Sequence, residues 1–365
     1  MASRGIQVIQ REAVPAWVTA LMAEAMVIGP RRGSAGDAEL APLTAVEELD
    51  LDYGHDLLPP TRYLLPPSEV LFRFQTGDGL TLTPEYDDRR RIFFGIRSCD
   101  VKGIRYQEQF FQRDFPDIYF LTRRANASLV SLACSAPPLP TCFCTCCDGG
   151  PALKTGEGYD IQLTPLTGRY LAEVDSEAGE RLVANAPELF QEATAADLSE
   201  RDRILAGVEQ RFATTAYLAR GIAKVTNDAV PEALWEELAE RCIRCGGCTY
   251  LCPLCTCFTV CDRSRNGQGE RIRRWDHCIL AGFTREASGH NPRPEKAHEF
   301  KRRFFHKLSY QYLEREGRPG CVGCGRCLTT CMMGVDMAAV LMRLREAGRR
   351  PKWGPPWAVK PKTSP

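Results

Sequence analysis

Apolar positions along the first part of the chain switch between two periods. Trp17, Leu21, Met22 and Ala25 recur at helical spacing, whereas Val70, Phe72 and Phe74 alternate as along a strand with one buried face. Residues 91–96 and 128–133 are short apolar runs of the kind found in buried strands. Between them, Asp100 is placed to cap a helix whose apolar face is Val101, Ile104 and Phe111. Residues 159–163 and 169–174, joined by a glycine-containing turn, predict a hairpin. Helices alternating with strands predict an α+β or α/β sheet domain over residues 1–178.

Beyond 178 the pattern becomes helical and strongly charged, with Leu198, Ile204, Val208 and Phe212 at helical intervals. Pro231 suits the first turn of a further helix, which puts Leu234, Leu238 and Cys242 on one face. Asp336 is expected to cap a helix carrying Ala339, Leu341 and Leu344, with Gly348 ending it. A mostly helical domain is therefore expected over residues 179–348. The proline-rich stretch 349–365 has too little apolar content for a core and is expected to be a flexible tail.

At 365 residues, 44% hydrophobic and 25% charged, the chain has the make-up of a globular protein with room for two cores. A net charge of +1 gives no general attraction to nucleic acid or an acidic membrane. Basic runs at 271–274, 301–303 and in the tail read first as solvated faces. The first two could also steer an acidic redox partner. The apolar stretch 17–28 is interrupted by Glu24 and is too short to span a bilayer, and the N-terminus lacks a secretory pattern. A cytoplasmic protein is expected.

The cysteines change the picture most. Cys242, Cys245, Cys248 and Cys252 lie in CIRCGGCTYLCP, and Cys321, Cys324, Cys327 and Cys331 lie in CVGCGRCLTTCM. Both follow C-x2-C-x2-C-x3-C, the bacterial ferredoxin spacing for a 4Fe–4S cluster. Two-residue spacers let three thiolates wrap one corner of a cubane, while the fourth points away and completes the other cluster in two-cluster proteins. The expected ligand sets are therefore crossed. Cys242, Cys245, Cys248 and Cys331 hold cluster 1; Cys321, Cys324, Cys327 and Cys252 hold cluster 2. Structural zinc prefers two knuckles far apart in sequence, and disulfides belong to oxidising compartments, so both suit this spacing less well. A zinc-stabilised scaffold would also be colourless. The implied task is electron transfer.

Other chemistry leaves little trace. Gly33 and Gly36 do not complete a dinucleotide fingerprint, and Gly149, Gly150 and Lys154 lack the P-loop core. No catalytic triad or carboxylate pair is evident, and His277 beside Cys278 reads as structural.

Further stretches carry a resemblance. They are CPLCTCF (252–258), RRWDHC (273–278), AGFTREASGHNPRP (281–294), RRFFHKLSY (302–310), LPPSEVLFRF (65–74), FGIRSCDVKGI (94–104) and TCFC (141–144). Together with the two cluster motifs, the chain resembles the iron–sulfur β subunits of cytoplasmic NiFe sulfhydrogenases and the electron-transfer subunit of anaerobic sulfite reductase. The resemblance covers all but the extreme termini. It implies a two-cluster relay subunit placed between a flavoprotein that reacts with NAD(P)H and a catalytic subunit, NiFe hydrogenase or sirohaem-bearing. The chain departs from the family pattern at Met332, where proline is usual, and at the extra thiols Cys146 and Cys147.

Ten cysteines lie outside the two motifs. Cys99, Cys134, Cys142 and Cys144 fall at predicted strand ends or in the loops that follow, where thiols from separate strands can meet. They are candidate ligands of a third iron–sulfur cluster, with Cys146 or Cys147 as substitutes; the alternative is that they are small buried apolar residues. Cys255, Cys257, Cys261 and Cys278 read as thiols lining the clusters, since an independent site would have to share Cys252 with the motif. A competing function is a catalytic reductase with its substrate near TCFCTCC.

Overall fold

The computed structural model describes residues 5–33, 36–77 and 79–347. Its strands are β1 (Gly5–Gln10), β2 (Met26–Arg32), β3 (Ala38–Pro42), β4 (Ser68–Thr76), β5 (Leu80–Pro84) and β6 (Arg91–Ile96). They continue with β7 (Ala127–Leu132), β8 (Ile161–Pro165), β9 (Arg169–Val174), β10 (Phe190–Glu192), β11 (Phe258–Arg265) and β12 (Gln268–Trp275). Eight of them form one sheet in the order β10-β1-β9-β8-β7-β6-β2-β3. Its centre, β2-β6-β7-β8, is parallel, and the expected hairpin β8–β9 begins the antiparallel flank.

Every residue of β6 is buried, because helices cover both faces of the sheet. Ile92 and Phe94 pack with Trp17, Val18 and Leu21 of helix Val14–Met22 on one side. Phe93 and Ile96 pack with Val101, Ile104, Phe111 and Phe120 of helices Ser98–Gln112 and Ile118–Ala125 on the other. Ala25 lies beyond its helix and packs at the margin of the first core.

Three sequence expectations need correction. Asp100 is the third residue of helix Ser98–Gln112, behind Arg97 at the cap position, and is fully buried against Arg326. The break expected after 178 falls inside the first core. Helix Glu177–Ala184 packs there through Leu182, whose carbonyl accepts the Trp17 indole N–H at 2.9 Å, and β10 extends the sheet edge beside β1. The second half is also less purely helical than its pattern implies. The β11–β12 hairpin joins β4 and β5 of the first half in an antiparallel sheet ordered β11-β12-β4-β5. That pairing turns part of one basic run inward: Arg273 is 2% exposed and ion-paired with Glu69 at 2.7 Å and with Asp117.

The second core gathers helices Leu218–Thr226, Glu232–Arg241, Lys296–Leu308 and Met337–Glu346 around Trp235, Phe300, Phe304 and Leu341. Pro231 precedes the second of these helices, and Asp336 caps the last, its Oδ1 accepting the Ala339 N–H at 3.0 Å. Gly348 and the expected tail lie outside the described residues. Among the described residues no helix is long and apolar enough to cross a membrane.

Candidate metal centres

The two cysteine loops repeat one backbone geometry. The residue before each second cysteine, Arg244 or Gly323, has φ of 55° or 64°. The residue after it, Gly246 or Gly325, has φ of 77° or 79° and starts a short helix, Gly247–Tyr250 or Arg326–Thr330. Left-handed backbone at these positions curls the loop so that its N–H groups face inward, and glycine takes it without a Cβ clash. The first thiol of each loop accepts a matching backbone bond: Arg244 N–H to Cys242 Sγ at 3.4 Å and Gly323 N–H to Cys321 Sγ at 3.5 Å.

Each loop closes one wall of a cavity. The first cavity is lined by Cys242, Cys245, Cys248 and Cys331, with Ile243, Phe300, Arg303 and Met332. The second is lined by Cys252, Cys321, Cys324 and Cys327, with Phe143, Arg303, Lys307 and Met337. In both cavities three thiols come from one loop and the fourth from the other. Among the described residues no three His, Cys, Asp or Glu side chains converge closely enough for a single metal ion. Four cysteine thiols around one cavity are the donor set of a 4Fe–4S cluster.

Buried cations face these cavities. Arg303, 3% exposed, lines both, and its Nε and Nη1 have no hydrogen-bond partner. Lys307, 8% exposed, donates to Cys252 Sγ at 3.2 Å and to the Gly320 carbonyl at 3.0 Å. Buried cations need nearby negative charge. Four thiolates around an iron–sulfur core, net anionic, would supply it between these side chains, so the residues present fit the group. Burial raises the Cys248 thiol pKa and pushes that of Cys324 up to about 12. Ligation requires deprotonated thiols, and the cations favour that state. The 301–303 run therefore contributes Arg303 to the interior, not to a steering surface.

The remaining thiols fall into groups. Cys99, Cys134, Cys142 and Cys144 are all buried. Cys134 lies near enough to raise the pKa of Cys142 and Cys144, Cys142 raises that of Cys144, and Cys99 feels Cys144 and Cys324 in the same sense. This group sits against the second loop. Cys142 Sγ contacts the Cys324 carbonyl at 3.6 Å, Phe143 N–H donates to the Gly323 carbonyl at 2.8 Å, and a Cβ on Gly149 would meet Val322 O at 1.8 Å. Cys147 lies close enough to Cys321 for its thiol pKa to be raised by it, and Cys146 is half-buried beside it in sequence. Cys255 contacts Cys252, Cys257 contacts Cys278, and Cys261 is exposed on β11. His277 is 1% exposed and stacks edge-on to Tyr250 at 4.7 Å, a packing position. Sequence reasoning missed Lys307 and Arg326: one more basic residue in a highly charged helix, or in a cluster loop, gives no signal until its neighbours are known.

Residues 241–335 match the family described as a 4Fe-4S dicluster domain. The chain thus contains an iron–sulfur domain of the dicluster kind. It is also 30% identical over 339 residues to sulfhydrogenase 2 subunit beta of Pyrococcus furiosus, an alignment spanning 93% of this chain and 98% of the relative. The chain belongs to the sulfhydrogenase β-subunit family, as an iron–sulfur subunit for electron transfer. No solved structure matches it.

Proposed function

We propose that the chain relays electrons through two 4Fe–4S clusters between a flavoprotein that reacts with NAD(P)H and a catalytic subunit of sulfhydrogenase type, in the cytoplasm. The observation that carries this reading is the crossed lining of the two cavities. It supports Cys242, Cys245, Cys248 and Cys331 as ligands of one cluster and Cys321, Cys324, Cys327 and Cys252 as ligands of the other. Bound there, such clusters take up and release single electrons. The chain's own share is to hold the thiolates, exclude water and supply buried positive charge. Cys99, Cys134, Cys142 and Cys144 are proposed as ligands of a third cluster, supported by their burial together against the second loop. Exposed Ile243, Met332 and Met333 beside Cys245 support the first cavity as the port facing a partner protein.

Iron content tests the reading. Anaerobically purified protein is expected to carry about eight iron atoms with the two motifs loaded, or about twelve with a third cubane. Zinc in place of iron would overturn it. The isolated chain is expected to accept electrons from a strong reductant, yet not to oxidise NAD(P)H or evolve hydrogen alone. Turnover by the isolated chain would favour a catalytic role instead.

Lys307→Met should lower the reduction potential of the cluster that Cys252 serves, because an adjacent cation favours the added electron. A charge-assisted bond differing by about 1.4 kcal/mol between the two oxidation states corresponds to roughly 60 mV for a one-electron couple. Lys307→Arg should restore most of the shift. Redox titration followed by paramagnetic resonance measures it, and an unchanged potential in Lys307→Met would remove the lysine from this role.

A further inference from the structure

Thiols lie close enough to shift one another's ionisation at Cys147–Cys321, Cys252–Cys255 and Cys257–Cys278. In the first two pairs one partner is a motif cysteine, so its thiolate is committed to a cluster. Neither member of the third pair belongs to a motif. Cys257 immediately precedes β11 and Cys278 follows β12, so the hairpin's paired ends bring them together; the Asp276 N–H donates to the Cys257 carbonyl at 3.2 Å.

We infer that Cys257 and Cys278 form a dithiol–disulfide couple that exchanges two electrons with the chain's iron–sulfur relay. In the reducing direction the S–S bond breaks, two electrons arrive singly from the relay, two protons arrive from solvent, and two thiols result. In the oxidising direction the two S–H bonds are lost, the S–S bond forms, and the same electrons and protons leave. The inference rests on the proposed electron-transfer function for its electrons and goes beyond it in adding a two-electron site.

Three observations support the site. The Cys278 thiol is held below the ordinary cysteine range, chiefly by Cys257 and further by the cations Arg303, Lys307 and Arg302. Thiolates in such electropositive surroundings are the reactive ones in thiol–disulfide chemistry. The pair is also connected to the relay. Cys252, Cys255 and Cys257 line one small cavity, and Cys255 feels both Cys252 and Cys257 electrostatically. Finally, Cys257 is only half-buried, which gives protons a way in and out, whereas Cys278 is shielded.

The test uses the anaerobically purified, cluster-loaded protein, poised with mediators over a range of potentials. Acid quenching and alkylation with a light reagent mark free thiols. Reduction and alkylation with a heavy reagent then mark thiols that had been in a disulfide, and peptide mass spectrometry reads both. Cys257 and Cys278 are expected to convert together from heavy to light as the potential falls, with the slope of a two-electron couple. Cys278→Ser should abolish heavy labelling at Cys257 and leave the iron content unchanged. Two results would overturn the inference: both thiols labelling light at every potential at which the clusters survive, or loss of iron in Cys278→Ser, which would make the pair metal ligands. Wild-type labelling needs no variant, so a misfolded Cys278→Ser leaves the test intact. Iron-free protein whose pair still converts would support the couple while refuting the relay.

Discussion

Cys252→Ala is expected to abolish the paramagnetic signal that Cys324→Ala also abolishes, and to spare the one that depends on Cys245. Cys252 belongs by sequence to the first loop. Yet its thiol shares a cavity with Cys321, Cys324 and Cys327 and takes the Lys307 ammonium at 3.2 Å. Removing it leaves three thiolates and an unpaired buried lysine around the second centre, a change expected to empty that centre and not merely to tune it. Cys331→Ala should do the converse, silencing the signal that depends on Cys242, Cys245 and Cys248. About half the iron should disappear in each variant if two clusters are loaded. Loss of the Cys245-dependent signal in Cys252→Ala would mean that each loop closes its own cluster, and the crossed assignment would fail.

How much of this was legible in the sequence depends on the distance over which each feature is encoded. The cluster loops could be read because the ligand spacing is local and appears twice. β6, with every residue buried, could be read because a parallel strand covered on both faces leaves an unbroken apolar run. In the second sheet β4 could be read as a strand, but its pairing could not, since β4 and β12 meet across roughly two hundred residues of chain and β11 is mostly exposed. One local signal was available there. Asn266 and Gly267, with φ of 51° and 76°, form the two-residue Asn-Gly connection typical of tight hairpins. The same hidden pairing explains Arg273, whose partners Glu69 and Asp117 come from the other half.

The two halves also meet at the cluster loops, which bears on relay function. The cysteine-rich segment after β7 lies on the second loop so closely that Gly149 and Gly323 admit no Cβ without moving backbone atoms. A third cluster on Cys99, Cys134, Cys142 and Cys144 would therefore adjoin the second centre. The first cavity has Met332, 83% exposed, at its rim. With such a cluster in place, a path from that rim through the second centre into the sheet domain would give the proposed relay two separated ends.

Arg326→Met is expected to destabilise the protein by about 3–5 kcal/mol, the usual result of stranding one member of a buried ion pair. Arg326 sits between Cys324 and Cys327, is 0% exposed, and reaches out of the cluster loop to helix Ser98–Gln112. Its Nη1 lies 2.7 Å from Asp100 Oδ1, out of line for a hydrogen bond, and its Nε donates to the Asp56 carbonyl at 2.8 Å. Asp100 is equally enclosed, so removing the guanidinium leaves a carboxylate without water and with only the more distant Arg97 as counter-charge. The cost is therefore desolvation of the stranded partner more than loss of attraction. Asp100→Leu combined with Arg326→Met should recover part of the loss, because an apolar pair can fill the space without charge. For a protein of this size the single variant should melt roughly 5 °C lower, followed anaerobically by calorimetry. Because Arg326 is flanked by two proposed ligands, the signal of the second centre should weaken before the first. A melting temperature unchanged in Arg326→Met would show that the pair does not hold the sheet domain to the cluster loops, and the route between them would need another anchor.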